Sequence, residues 1–158
     1  MNINTLLDEN QVILSLKGKT KEAVVEELAG TLVSNQKICN IERFIQDVWG
    51  REKIGDTAVG FGIAIPHARS SAVLSPAIAI GRTAGLHWNG EAEGCVQLIV
   101  LLAVPEEKAA NNHMAILSNV ARMLVDEDSR NALLTAETPQ DVLDTIEGYQ
   151  RTKGGGAE

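Results

Sequence analysis

The sequence predicts an α/β sandwich, on two observations. Strand-like and helix-like segments alternate along the chain, and one run, Val96 to Val104, is apolar almost throughout, the pattern of a strand buried on both faces. No internal repeat or second domain breaks the alternation, so residues 3–149 read as a single domain and residues 150–158 as a flexible C-terminal tail.

Taken in order, residues 3–8 suggest a short turn, and Val12 to Leu16 alternate as a first strand should. Thr20 is placed to cap a helix whose apolar face is Val24, Leu28 and Leu32 beside Val25, Ala29 and Val33. Asn40 caps the next helix, where Ile41, Phe44, Ile45, Val48 and Trp49 fall at i, i+3, i+4, i+7 and i+8, and Gly50 and Gly55 mark its frayed end. Then comes TAVGFGIAIPHAR, residues 57–69. Gly60 and Gly62 open backbone angles closed to other residues, and Pro66 pushes Ile65 towards an extended conformation. A short buried strand is expected to stop there, leaving His67 on a rigid turn with its imidazole facing outward.

Arg69, Ser70 and Ser71 form a polar turn, Ala77 to Arg82 another strand, and Gly85 to Gly90 a loop or hairpin carrying His87 at the surface. Pro105 ends the doubly buried strand, and a charged loop from Glu106 to Lys108 leads past Asn111 and Asn112 into a helix. Its core stripe is Leu117, Val120, Ala121 and Leu124, with Ile116 and Met123 at the margin and His113 in the first turn. Asp126 to Ala136 read as a short helix. Thr138, Pro139 and Asp141 are three start signals for a last helix reaching about Gly148, pinned by Val142, Leu143 and Ile146.

Composition narrows the function classes. A 158-residue chain with 44% hydrophobic residues can bury a core without staples, and with aromatics at 3% that core is aliphatic. No apolar run reaches bilayer length, and MNINTLLDEN lacks the basic and apolar regions of a secretory signal, so a cytoplasmic location is expected. A net charge of −7 argues against a general nucleic-acid surface. Cys39 and Cys95, outside any C-x-x-C arrangement, read as free thiols, Cys95 as a small buried hydrophobe and Cys39 as partly exposed.

From the residues alone His67 reads either as a solvated or hydrogen-bonded structural histidine or as a nucleophile. A neutral imidazole is a nucleophile near pH 7 when a hydrogen bond to one ring nitrogen fixes the tautomer and leaves a lone pair on the other. REKIGDTAVGFGIAIPHARSSAV, residues 51–73, resembles the signature of the fructose/mannitol/nitrogen-regulatory type of enzyme IIA in the bacterial phosphoenolpyruvate:sugar phosphotransferase system. The opening LKGKTKEAVVEEL, the strand VQLIVLLAVPEE and the segment NNHMAILSNVARML extend the resemblance from about Ile3 to Tyr149.

The resemblance implies a three-layer sandwich in which a mixed β-sheet is flanked by helices on both sides. It implies that His67 accepts a phosphoryl group, that His113 is the second active-site histidine, and that Arg51 holds phosphoryl oxygens in a fork. Gly60, Phe61, Gly62 and Arg69 become phosphate-loop and docking residues. Phe61 departs from the asparagine many relatives carry there, which enlarges an apolar docking patch or removes a hydrogen bond. The donor is then the histidine phosphocarrier protein and the acceptor a cysteine of a IIB component, with nucleic acid absent from the chemistry and the membrane reached only through IIB and IIC. No cofactor and no metal are implied, and no G-x-x-x-x-G-K-[ST] sequence points to a nucleotide donor. Ala68-Arg69-Ser70-Ser71 favours the fructose type over the alternative, a nitrogen-type module whose phosphorylation state controls binding to a target. A third reading, a metal site from His67, His87 and His113, requires three distant histidines to converge.

Overall fold

The computed structural model describes residues 2–88, 95–107 and 110–154, the last range without the side chains of 110–113. Among these, the strands are β1 (Val12–Ile13), β2 (Ala58–Gly60), β3 (Ile63–Ala64), β4 (His67–Ser70), β5 (Ala77–His87) and β6 (Cys95–Pro105). The α-helices are α1 (Lys21–Ser34), α2 (Ile41–Ile54), α3 (Ala110–Val125), α4 (Glu127–Thr135) and α5 (Pro139–Tyr149). Short 3-10 turns at Ile3–Leu6 and Glu9–Gln11 precede β1.

The described strands form one mixed sheet in the order β1-β5-β6-β3-β2, with β4 also beside β6. β5 and β6 are antiparallel, whereas β1 on β5 and both β3 and β4 on β6 are parallel. The alternation of β6 separates two cores. Leu98, Val100, Leu102 and Val104 meet Ile116, Val120, Leu133, Val142 and Ile146 of α3, α4 and α5. Ile99, Leu101 and Ala103 meet Val25, Leu28, Phe44 and Val48 of α1 and α2. The chain is therefore the expected α/β three-layer sandwich, a mixed sheet with helices on both sides.

Helix starts follow the local chemistry. Thr20, Asn40 and Asp126 each accept the backbone N–H three residues on. Thr138 and Asp141 form a reciprocal capping box with Pro139 at the first helical position.

Several boundaries differ from expectation for tertiary reasons. The first strand is only Val12–Ile13 because the chain bends at residues 14–15 before the Leu16 N–H rejoins Arg82 O at 2.9 Å. Helix α2 runs through Gly50, which faces open space, and ends at Ile54, because its buried Phe44 and Val48 outweigh a glycine penalty of about 1 kcal/mol. The α3 stripe is rotated: Ile116, Val120, Met123 and Leu124 are buried, while Ala121 sits at the margin, so the larger side chains take the core. β5 continues through Gly85 to His87 by a register shift after Arg82, where loop had been expected. Cys95 is exposed rather than buried, since the first residues of β6 alternate exposed and buried before both faces are covered. Residues 150–154 form a π-helical turn rather than free tail. Gln150 Oε1 accepts the Ile3 N–H at 2.5 Å, and Lys153 Nζ lies 2.9 Å from Asp126 Oδ1.

Candidate functional site

β2 and β3 form a hairpin whose turn has φ of 94°, 59° and 75° at Gly60, Phe61 and Gly62. Three successive left-handed residues reverse the chain tightly, and glycine takes this conformation without steric cost where a phenylalanine does not. The chain then follows β6 twice. Ile63 pairs with Leu98 and Ala64 with Ile99; His67 pairs with Leu102 and Ala68 with Ala103. The offset is the same in both, so β3 and β4 are one line interrupted at Ile65-Pro66. Pro66 has no N–H to give, but its carbonyl still accepts Leu102 N–H at 3.0 Å. His67 thus opens a second strand instead of standing on the turn that ends the first.

The break frees Ile65 to bond elsewhere. Its N–H donates to Thr57 O at 2.9 Å, and its carbonyl lies 2.7 Å from His67 Nδ1. A carbonyl can only accept, so Nδ1 carries the proton and the lone pair of the neutral ring is on Nε2. The imidazole does not face outward as expected; it is only 5% exposed, on a strand paired with β6, where its partner Leu102 is also buried. It remains reachable through an open cavity of about 200 Å³ lined by Asp47, Arg51, His67, Ala68 and Arg69. Burial lowers the His67 pKa below 6.5; the Ile65 carbonyl opposes this, the Arg51 charge adds to it, and the Glu52 charge opposes it again. The ring is therefore neutral at pH 7.

Arg51 and Arg69, both predicted, come together with His67 around this cavity. Arg51 sits in the last turn of α2, where its Nη1 donates to Gly55 O at 2.7 Å and leaves further guanidinium donors for an anion. Arg69 is exposed two residues along β4, on the same side as His67. Gly60, Phe61 and Gly62 do not line the cavity. Gly62 O accepts from Gln97 N–H, five positions along β6 from the partner of His67, so the hairpin turn lies roughly 16 Å from the ring. There Phe61 is 62% exposed, with the Arg130 guanidinium 4.2 Å from its ring centroid. His113 is in the first turn of α3 by its backbone, and its side chain lies outside the described residues. His87 pairs with Cys95, seven positions from Leu102, which separates it from His67 by roughly 23 Å and removes the reading of one metal site shared by the three histidines.

Sequence reasoning missed Glu52. The pair Arg51-Glu52 reads as charges at a helix end, yet Glu52 is 9% exposed and accepts three hydrogen bonds. Oε2 takes the Thr57 N–H at 2.9 Å and Trp88 Nε1–H at 2.7 Å, and Oε1 takes the Thr57 hydroxyl at 2.9 Å. The signal was present: Glu52 is the next i+4 step after Phe44 and Val48, a carboxylate on an apolar stripe.

Residues 5–149 match the family described as phosphoenolpyruvate-dependent sugar phosphotransferase system, EIIA 2. The chain belongs to this family. By its description the family is a component of the phosphoenolpyruvate-dependent sugar phosphotransferase system. The chain is 32% identical over 149 residues to the 2-O-alpha-mannosyl-D-glycerate-specific EIIABC component of Escherichia coli strain K12, covering 93% of this chain and 23% of that protein. It is 32% identical over 146 residues to the fructose-specific EIIA component of Haloferax volcanii, covering 92% of this chain and 94% of the other. The first curated relatives it matches are much longer, and the chain spans less than a quarter of them, 23%, 24% and 17%. Among solved structures it is similar to the nitrogen regulatory protein IIA-Ntr of Neisseria meningitidis, with a TM-score of 0.81 at 27% identity over 91% of this chain and 98% of that one. No helix among the described residues of this EIIA is long and apolar enough to cross a membrane.

Proposed function

We propose that residues 3–149 are one EIIA domain that acts in the cytoplasm and carries a phosphoryl group on His67 Nε2, from the histidine phosphocarrier protein to a IIB cysteine in sugar uptake. One observation carries the reading: a neutral imidazole, held in the Nδ1–H tautomer by Ile65 O at 2.7 Å, borders a cavity that also holds Arg51 and Arg69.

The two steps balance without a cofactor. Nε2 attacks the phosphorus of the donor phosphohistidine; the donor P–N bond breaks and its electron pair returns to the donor ring. Positive charge develops on the His67 ring, where the Ile65 carbonyl, accepting from Nδ1–H, stabilises it. A IIB thiolate then attacks the phosphorus, and the electron pair of the P–N bond goes back to Nε2. Arg51 and Arg69 spread the charge of the transferring oxygens, and alignment supplies most of the rate. His113, whose backbone lies in the first turn of α3, is given a supporting role by the family resemblance. Phe61 and its two glycines, remote from the ring, belong to docking and not to the phosphate.

The test incubates the protein with phosphoenolpyruvate, enzyme I and the phosphocarrier and follows acid-labile phosphate. His67→Ala should abolish labelling, and His113→Ala should stay folded and exchange more slowly; labelling that persists in His67→Ala refutes the assignment. The likeness to IIA-Ntr favours a second reading, a regulatory module whose phosphorylation state controls binding to a target. Rapid discharge to a IIB cysteine supports the transport reading, and a phosphoryl group that no IIB removes supports the regulatory one.

A further inference from the structure

Among the described residues, Glu52 is the buried ionisable group that the relay chemistry leaves unused. Its carboxylate joins the end of α2 to the segment before β2 and to Trp88 just after β5. Trp88 is 1% exposed, so that donor is fixed by the core. From Glu52 a continuous path of hydrogen bonds reaches the reacting ring. Thr57 N–H donates to Glu52 Oε2, Ile65 N–H donates to Thr57 O, and His67 Nδ1–H donates to Ile65 O, at 2.9, 2.9 and 2.7 Å. Glu52 thus anchors residue Thr57, Thr57 holds the N–H of Ile65, and Ile65 presents the carbonyl that selects the His67 tautomer.

Among the described residues, the charges around the ring are Asp47, Arg51 and Glu52 from α2 and Arg69 from β4, while β6 presents apolar Leu102 at the paired position. Arg51 attracts a phosphoryl group but also opposes the positive charge the ring acquires as the P–N bond forms. We propose that Glu52 is a positioning residue for His67: it anchors the Thr57–Ile65 path that fixes the tautomer and offsets the Arg51 charge at the ring. The proposal rests on His67 being the phosphoryl acceptor. The burial and three donors give Glu52 a defined place, and its effect on the ring passes through other residues, so it need not touch the phosphate.

The experiment follows the His67 ring nitrogens by NMR across pH in the unphosphorylated protein, beside phosphoryl uptake from the phosphocarrier. Glu52→Gln removes the offsetting charge, so His67 should titrate at lower pH than in the parent protein, and uptake should slow by about tenfold or more as the ring loses its placement. Trp88→Phe removes a donor that partly neutralises the carboxylate, so His67 should titrate at higher pH. Glu52→Asp restores the charge and should bring the titration back towards the parent value. A carboxylate that serves only to hold the fold would lower the melting temperature of these variants and leave the titration unmoved; that result, or shifts of the same sign in Glu52→Gln and Trp88→Phe, overturns the proposal. Should Glu52→Gln not fold, the upward shift in Trp88→Phe decides. If label on the parent protein does not depend on His67, the relay assignment fails, whereas the coupling of Glu52 to the ring is read separately from the titrations.

Discussion

Phe61 offers a sharp test of the hairpin geometry. It holds φ of 59° between two glycines of positive φ, is 62% exposed, and has Arg130 over its ring at 4.2 Å. A left-handed backbone costs a residue with a Cβ about 1–2 kcal/mol, and the exposed cation–π contact returns about 0.5–1 kcal/mol. Replacing Phe61 therefore alters both contributions, and a single variant cannot separate them. Phe61→Ala and Phe61→Asn both remove the ring and its contact with Arg130. They differ in that asparagine tolerates the left-handed region, because its short polar side chain bonds to the local backbone. Asn should thus exceed Ala in stability by about 1 kcal/mol, or about 2–4 °C in melting temperature for a domain of this size. The cation–π share follows from a double-mutant cycle of Phe61→Ala with Arg130→Ala, in which the loss of the Arg130 bond to Leu124 O cancels. Thermal melts and urea midpoints read both. Phe61→Ala melting at or above Phe61→Asn would refute the left-handed assignment, and a coupling near zero would refute the stacked guanidinium.

Two further outcomes follow from burial and packing. Because the folded pKa of His67 is lowered, the unfolded chain takes its proton first as pH falls; stability from this group is full above about 6.5 and is lost as pH drops towards the folded value. Urea midpoints between pH 5 and 8 should depend less on pH in His67→Gln than in the parent protein, and parallel profiles would show that the ring is not buried in the neutral form. A Cβ on Gly18 would lie 2.7 Å from Ala23 Cβ and 3.0 Å from Ala23 C and Val24 N, whereas one on Gly50 would meet open space within α2. Gly18→Ala should cost about 1–3 kcal/mol and Gly50→Ala should gain about 0.5–1 kcal/mol, measured by urea unfolding; shifts of the same sign would contradict the packing described around Gly18.

Three helix starts were legible because they are local: Thr20, Asn40 and Thr138 satisfy N–H groups three residues away, whatever packs above them. The apolar run of β6 was legible for a related reason, since a strand covered on both faces has no room for polar side chains. Faces were harder. Leu117 and Ala121 fit the periodicity of α3 as well as Ile116 and Met123 do, and only the facing Leu98 to Val104 ridge of β6 selects the latter. Gly85 reads as a turn from its neighbours, yet in the sheet it occupies the irregular stretch of β5, with φ of 140° and Cys95 close against it.

The family resemblance carried by residues 51–73 singled out the histidine and the two arginines, whereas the interruption at Pro66 was legible by itself, because proline geometry belongs to the residue. How the imidazole is held belongs to the fold. Its burial beside Leu102 of β6, its bond to Ile65 O, and the tie from Thr57 to Glu52 and Trp88 depend on how distant elements pack. Those partners meet only when helix α2 and strands β4, β5 and β6 are packed, since long-range contacts depend on which elements become neighbours and not on the propensity of any one segment.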